Sequence, residues 1–178
     1  MPSFGPDDAT VEVFVFREGL LARAGHDLLL RATRFEIVTD PGSRAVTVEV
    51  DAASLRVASA LRDGRPLPGA LSAADVREIE RTIASTILRA REHPAIRFAS
   101  EAVEPRDDGG LDVRGRLTLA GVTRPLALAA RREGERLVAE ARIAQPDFGI
   151  RPYSAMLGAL KVRPVVAVRA TIPASEAP

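Results

Sequence analysis

The sequence Arg114-Gly115-Arg116-Leu117-Thr118-Leu119-Ala120-Gly121-Val122-Thr123-Arg124-Pro125-Leu126-Ala127-Leu128 decides the fold of this chain. Apolar residues alternate with polar or small ones on both sides of Ala120–Thr123, which predicts an antiparallel hairpin with a glycine-assisted loop. Pro125 has no amide hydrogen, so we expect it at the start of the second strand, where no ladder hydrogen bond is lost. The alternating leucines share one side-chain phase and should face one interior.

The same alternation recurs along most of the chain. Strands are predicted at Thr10–Phe16, His26–Thr39, Arg44–Val50, Ile96–Ala102, Leu111–Leu119, Leu126–Ala130, Arg136–Ala144 and Val165–Ile172. Within His26–Thr39 the apolar phase reverses, so a bulge or bend is expected near Arg31–Arg34. The short segment Leu20–Ala24 fits either a helical turn or further strand. Glycines and prolines in Ala58–Gly69 predict a loop.

One long amphipathic helix is predicted over Ala73–Arg91, because Val76, Ile79, Ile83 and Ile87 recur at intervals of three or four residues. Ser72 followed by Asp75 resembles a capping box. Seven or eight strands and one helix, without strand–helix alternation, predict an all-β fold. A closed, eight-stranded antiparallel barrel satisfies this pattern best, with the helix packed on it or capping one end. We expect residues 1–178 to form one domain, with its core at about 10–173.

Composition excludes several classes of function. The chain has 25 basic and 24 acidic residues, and this balance argues against a nucleic-acid-binding surface. It has no cysteine, which excludes disulfides, thiolate catalysis and cysteine metal sites. The N-terminal residues lack the basic and apolar regions of a signal peptide, so we expect a cytoplasmic protein. No apolar stretch approaches the roughly 20 residues of a transmembrane segment.

Four stretches resemble the YceI-like family of bacterial proteins, in the order that the family has them. They are Arg34–Ile37, His93–Ser100, Gly115–Leu126 and Pro146–Ile150, spread across about Val11–Ile172. Members of that family are lipocalin-like barrels that enclose an amphipathic lipid tail. The resemblance therefore implies an eight-stranded barrel with an elongated apolar cavity, and an isoprenoid or similar chain as the ligand. Well-known members are secreted to the periplasm, in contrast with the cytoplasmic location expected here.

Residues that could contact such a ligand are of three kinds: inward-facing apolar side chains, one histidine, and residues of a loop over the barrel mouth. The candidates are Phe14, Phe16, His26, Leu28, Phe98, Leu117, Leu119, Phe148, Tyr153 and Met156. His26 precedes Asp27, but neighbours on a strand point to opposite faces, which favours a structural or mouth-lining role. The loop Arg151–Lys161, with Tyr153 and Met156, either folds over the mouth as a lid or packs over the core.

Three functions remain open at this point. The leading hypothesis is a non-enzymatic protein that binds one elongated apolar molecule. The second is an enzyme with a pocket centred on His26, with Arg31, Tyr153 or Arg151 as partners for an anionic substrate. The third is a structural or interaction module that forms a homodimer. No catalytic residue, metal site or cofactor is predicted, because the chain has no Gly-x-Ser-x-Gly or phosphate-loop motif and only two histidines.

Overall fold

The structure is a computed structural model that describes residues 1–19 and 25–176, with the side chains of Met156 and Glu176 left out. The segment Leu20–Ala24, for which a helical turn and further strand were the two expectations, lies outside the described residues. The strands are β1 (Ser3–Phe4), β2 (Thr10–Val15), β3 (Arg17–Glu18), β4 (Asp27–Ala32), β5 (Phe35–Thr39), β6 (Val46–Asp51), β7 (Leu55–Arg62), β8 (Arg65–Pro66), β9 (Ala95–Pro105), β10 (Leu111–Leu119), β11 (Val122–Glu133), β12 (Arg136–Ala144), β13 (Ser154–Ala155), β14 (Leu160–Val162) and β15 (Val165–Pro173). The helix α1 (Ala73–Thr82) continues into a π-helical turn, Ile83–Ile87.

The main sheet is antiparallel and curls into a barrel. Its strand order is β1-β5-β6-β9-β10-β11-β12-β15-β2-β4-β7-β8. Strands β4 and β5 lie near opposite ends of this order, yet only Thr33 and Arg34 separate them along the chain. The sheet must therefore curve until its two ends meet, which removes most of the exposed edge.

The strand count of eight is corrected to twelve strand segments in this sheet. Two long strands bend, so that β4 and β5 pair with different neighbours, as do β6 and β7. The two-residue strands β1 and β8 add further segments at the ends of the order. When each bent strand is counted as one, eight long strands surround the barrel.

The predicted bend near Arg31–Arg34 is confirmed at Thr33 and Arg34. The backbone N–H and the hydroxyl of Thr33 both donate to the carbonyl of Ser54, at 3.1 and 3.0 Å. The Ser54 hydroxyl donates to the carbonyl of Arg34 at 3.1 Å. These bonds satisfy backbone groups that leave the ladder at the corner. The bend changes the phase of the strand, so that Leu30 before it and Ile37 after it are both buried inside.

The predicted hairpin is formed by β10 and β11. Its loop is shorter than expected, since only Ala120 and Gly121 connect the strands, with φ of 48° and 78°. Two successive residues with positive φ define a type I′ turn, whose twist matches that of the strands. Pro125 lies three residues into β11, opposite Arg116. Counting from the turn, this is a non-hydrogen-bonded pair, so the missing amide hydrogen costs no ladder bond.

The helix begins as predicted and ends earlier. The Ser72 side chain accepts from the N–H of Asp75, and the Asp75 carboxylate accepts from the N–H of Ser72, which confirms the capping box. The α-helix stops at Thr82 and the π-helical turn at Ile87, rather than at Arg91. Arg89 has a φ of 48°, a left-handed conformation that cannot continue a helix. The predicted loop Ala58–Gly69 is also corrected, because strand β7 extends through its first five residues.

Truncation of the helix stripe should destabilise the protein. Ile83 is half-buried and packs against the core. We expect Ile83→Ala to lower the free energy of unfolding by about 2 kcal/mol, the lower end of the range for a packed residue. Arg81→Ala, on the exposed face, should change it by about 0.5 kcal/mol or less. Denaturant unfolding of both variants measures the difference. Equal stabilities would mean that the stripe does not pack on the barrel.

The outer face of β11, β12 and β15 carries an ion-pair network centred on Glu140. Its Oε2 accepts from Nη1 of Arg131 at 2.7 Å, and its Oε1 accepts from Nε of Arg169 at 3.0 Å. The hydrogen bond from Arg131, supported by that from Arg169, lowers the pKa of Glu140 below its usual range. The folded state therefore binds a proton at this site more weakly than the unfolded chain does.

This network should stabilise the fold at neutral pH and not in acid. Its contribution is complete above the ordinary pKa of glutamate, about 4.3, and is lost as the pH falls through the lower pKa of the folded state. Glu140→Gln should therefore destabilise the protein more at pH 7 than at pH 3. Glu101→Gln, which changes an exposed residue of β9, is the matched control. Denaturant unfolding at both pH values measures this, and a penalty for Glu140→Gln that is the same at pH 3 and pH 7 would contradict the assignment.

Candidate ligand-binding cavity

A cavity of about 580 Å³ lies inside the barrel. Its wall is formed almost entirely by apolar side chains on the inner faces of the strands. The apolar wall residues that lie on strands include Val11, Val13, Val15, Leu28, Leu30, Val50, Leu55, Ile96, Phe98, Leu117, Leu119, Leu126, Leu128, Ala139, Ala141, Ile143, Val166, Val168 and Ala170. Such a volume and lining are typical of sites that hold a small apolar molecule.

Strand register explains why these side chains converge. Val13 lies opposite Leu30 on β4 and opposite Val168 on β15, and Val168 in turn lies opposite Ala141 on β12. Directly opposed residues in an antiparallel ladder share a face of the sheet. The period of two then places every second residue of each strand on the cavity wall.

At the end of the barrel where β2 begins and β15 ends, side chains fill the interior. Five core residues at this end do not line the cavity: Phe4, Ala9, Ile37, Val113 and Ile172. All five are buried. The packed part of the core therefore closes one end, and the empty space lies towards the other.

The helix and its π-helical turn cover that other end. Ile79, Ile83 and Ile87 face the cavity and are half-buried. Oε1 of Glu80 accepts a hydrogen bond from the backbone N–H of Val57 at 2.9 Å, which ties α1 to β7. The isoleucine stripe therefore forms one wall of the cavity, and it is the apolar face that the helix periodicity indicates.

Polar groups also lie at the cavity wall, near the place where β3 and β14 pair. A second sheet, β13-β14-β3, joins part of the loop Arg151–Lys161 to the segment that follows β2. It brings Arg17, Tyr153 and Lys161 to the cavity wall, together with His26 just before β4. These four residues come from three separate parts of the sequence, and closure of the barrel places them at one rim.

Six of the ten predicted contact residues line the cavity. They are His26, Leu28, Phe98, Leu117, Leu119 and Tyr153. Phe148 is buried in the core, outside the cavity wall. The side chain of Met156 lies outside the described part of the chain. Whether any of them contacts a ligand remains a prediction.

The inward placement of Phe14 and Phe16 was wrong. The guanidinium carbon of Arg169 lies 5.2 Å from the ring centroid of Phe14, and that of Arg163 lies 5.9 Å from the ring of Phe16. These are cation–π contacts. Phe14 has the opposite phase to Val13, which faces the cavity. Both faces of β2 are apolar, so alternation alone did not show which one turns inward.

The groups proposed for an enzyme pocket are mostly apart. Arg31 lies outside the cavity wall, where its Nη2 donates to Oε1 of Glu12 at 2.7 Å. Oδ1 of Asp27 accepts from the backbone N–H of Arg17 at 2.9 Å. Arg151 is exposed and does not line the cavity. Among the described residues, only Tyr153 of the three proposed partners shares the cavity with His26, and no three acidic or histidine side chains are grouped to hold a metal.

Sequence reasoning missed the wall residues Arg17 and Lys161, as well as the valines of β2. The valines alternate at Val11, Val13 and Val15, so the pattern was visible but competed with the two phenylalanines. Arg17 and Lys161 had no such pattern. They lie on β3 and β14, where Arg17 is opposite Val162 and Lys161 is opposite Glu18, and a sequence alternation of two or three residues cannot indicate this pairing of strands.

A family model described as the YceI-like domain matches residues 30–174. The chain belongs to the YceI-like family. The match covers β5 to β15, including the hairpin β10–β11 and most of the cavity wall. The fold is thus the lipocalin-like barrel of this family. No described helix has the length and apolar character needed to cross a bilayer.

Solved structures share the fold of this YceI-like protein at low sequence identity. BcnA of Burkholderia cenocepacia is 14% identical over 92% of this chain and 95% of its own, with a TM-score of 0.56. A polyisoprenoid-binding domain from Saccharophagus degradans, implicated in plant cell wall breakdown, is 10% identical over 92% and 91%, with a TM-score of 0.58. The Campylobacter jejuni YCEI protein is 16% identical over 68% and 70%, with a TM-score of 0.50. No curated protein matches the chain.

Proposed function

We propose that this YceI-like protein binds one elongated apolar or amphipathic molecule, an isoprenoid or lipid-like chain, inside the barrel. The observation that carries the proposal is the 580 Å³ cavity behind the helix. An eight-stranded barrel either fills itself with side chains or holds one small ligand. Here one end is filled, while small residues, Ala139, Ala141 and Ala170, leave space further along the barrel.

The class of ligand follows from the wall. Leucine, isoleucine, valine and phenylalanine side chains form most of the cavity wall, and polar groups contribute little to it. Such a wall favours a hydrocarbon chain, since burial of apolar area contributes about 25 cal/mol for each Å² removed from water. The polyisoprenoid-binding domain with the same fold supports an isoprenoid as one member of this class.

A displacement titration tests the proposal. The neutral dye N-phenyl-1-naphthylamine fluoresces in apolar sites, and a cavity of this kind should bind it saturably. Geranylgeraniol should displace the dye with a stoichiometry of one molecule for each chain, whereas a short polar alcohol should not. If the dye does not bind saturably, or if geranylgeraniol does not compete with it, the proposed function is wrong.

A further inference from the structure

We propose that the ring of Phe98 forms the floor of the cavity and limits the apolar chain of the ligand to about twenty carbons. The inference rests on the proposed function and adds to it the length of the ligand. It follows from the level at which the cavity ends on each strand and from the position of the Phe98 ring.

On one side of the barrel, the cavity ends at Phe98. Of the inward-facing residues described on β9 and β10, Phe98 and Leu117 are the last to line the cavity before the packed end, and they lie opposite each other in the ladder. Val48 lies opposite Phe98 on β6 and packs against the core outside the cavity wall. The space on this side therefore stops at the Phe98 ring.

Gly115 allows the ring to occupy this position. It is the next inward-facing residue after Leu117 on β10, towards the packed end where Val113 is buried. A Cβ atom at Gly115 would lie 2.7 Å from Cζ of Phe98, so the tip of the ring lies directly over the glycine backbone. Phe98 is 8% exposed, and close packing on its other sides holds the ring in this place.

Small residues border the floor on the far side of the barrel. Strands β9 and β15 are separated by three strands in either direction when each bent strand is counted as one. On β15, Ala170 lines the cavity and lies opposite Ala139 on β12 and Val11 on β2. The next inward-facing residue of β15, Ile172, is buried in the packed end. The deepest part of the cavity therefore lies between the Phe98 ring and the methyl groups of two alanines.

The volume above this floor sets the length of the chain. A methylene group is similar in size to a water molecule, which takes up roughly 30 Å³ in the liquid. A cavity of 580 Å³ therefore accommodates about twenty such groups. A longer chain extends beyond the cavity, where added carbons stay in water and contribute nothing to the affinity.

Competition between alcohols of neighbouring length measures this limit. Straight-chain 1-alkanols from dodecanol to hexacosanol are mixed with the protein in pairs that differ by two carbons, and native mass spectrometry gives the ratio of the two adducts. In the wild type, the longer alcohol should be favoured about tenfold up to about twenty carbons, because each buried methylene group adds to the affinity. Above that length, the preference should fall below about twofold. A preference that continues undiminished to hexacosanol would overturn the length limit.

Two substitutions should move the limit in opposite directions. Phe98→Ala removes the ring and should move the limit to longer alcohols by about four carbons, the room that a phenyl group leaves. Ala170→Leu adds bulk at the floor and should move the limit to shorter alcohols by about two carbons. The matched controls, Phe148→Ala in the core outside the cavity wall and Ala127→Leu on the exposed outer face, should leave the limit unchanged.

Ala170→Leu keeps the test valid if Phe98→Ala impairs folding. A limit that stays at the wild-type length in Ala170→Leu, or in folded Phe98→Ala, would overturn the assignment of the floor and leave the proposed function intact. Failure of every alcohol to bind would instead overturn the proposed function.

Discussion

Ala141→Trp should abolish binding of an apolar ligand while the barrel still folds. Ala141 lies in the middle of β12 with its methyl group on the cavity wall, opposite Val168. An indole group at this position extends into the 580 Å³ cavity and occupies the volume that the ligand requires. Because the new side chain enters empty apolar space, the loss of stability should not exceed about 3 kcal/mol, the upper end of the usual cost of overpacking.

Ala127→Trp is the matched control for this substitution. Ala127 lies on β11 opposite Arg114, is exposed, and has the opposite phase to Leu126 and Leu128, which line the cavity. The same increase in side-chain size on the outer face should leave the affinity for geranylgeraniol unchanged. Dye displacement on both variants gives the comparison. If Ala141→Trp binds as the wild type does, the ligand does not occupy the barrel interior.

Gly115→Ala should have the largest effect on stability of any substitution in the central hairpin. A Cβ atom at this position would lie 2.7 Å from Cζ of Phe98 and also against the backbone carbonyl of Ala99. Contacts this short require a shift, and a backbone carbonyl within the ladder cannot move as the end of a side chain can. We expect a loss of about 3 kcal/mol in the free energy of unfolding. The displaced Phe98 ring should also enter the cavity and weaken ligand binding.

Gly5→Ala provides the control for loss of a glycine. A Cβ atom there would lie 3.8 Å from the carbonyl of Phe35, an ordinary contact distance, and should leave stability almost unchanged. Chemical denaturation of the two variants beside the wild type gives the values. If Gly115→Ala is as stable as Gly5→Ala, Phe98 does not pack over Gly115, and the arrangement of the cavity wall at β9 and β10 would be wrong.

The hairpin β10–β11 could be predicted because its information is local. The alternation of Leu117 and Leu119 fixes the buried face, and Gly121 allows the positive φ that the turn requires. The bend at Thr33 and Arg34 was predictable for a similar reason, since a reversal of the apolar phase needs an irregularity in the strand. In both cases, a few neighbouring residues contain the whole argument.

The orientation of β2 could not be predicted in this way. Phe14 and Val13 are both apolar, so the choice of inner face depends on which neighbours the strand acquires. Strand β15 places Arg169 over Phe14 and Val168 beside Val13, and this pairing decides the result. On the outer face, the Phe14 ring makes a cation–π contact with the guanidinium of Arg169, and a period-two alternation does not indicate such a contact.

The polar rim required the closed barrel. Arg17, His26 and Lys161 share a cavity wall for two reasons. Strand β3 pairs with β14, and β2 pairs with β4, which brings His26 just before β4 close to the end of β2. None of these residues has a sequence pattern that distinguishes it from a solvated charge. The helix end illustrates the same limit, since the apolar repeat continues beyond Thr82 while the backbone changes to a π-helical turn.

Native mass spectrometry of this protein loaded with geranylgeraniol tests the central claim most directly. The protein is purified without added lipid, extracted with organic solvent, refolded and mixed with one equivalent of ligand. The account predicts a single adduct of one ligand for each chain in the wild type and in Ala127→Trp, and none in Ala141→Trp. A wild-type spectrum without the adduct, or an adduct that Ala141→Trp retains, would contradict it.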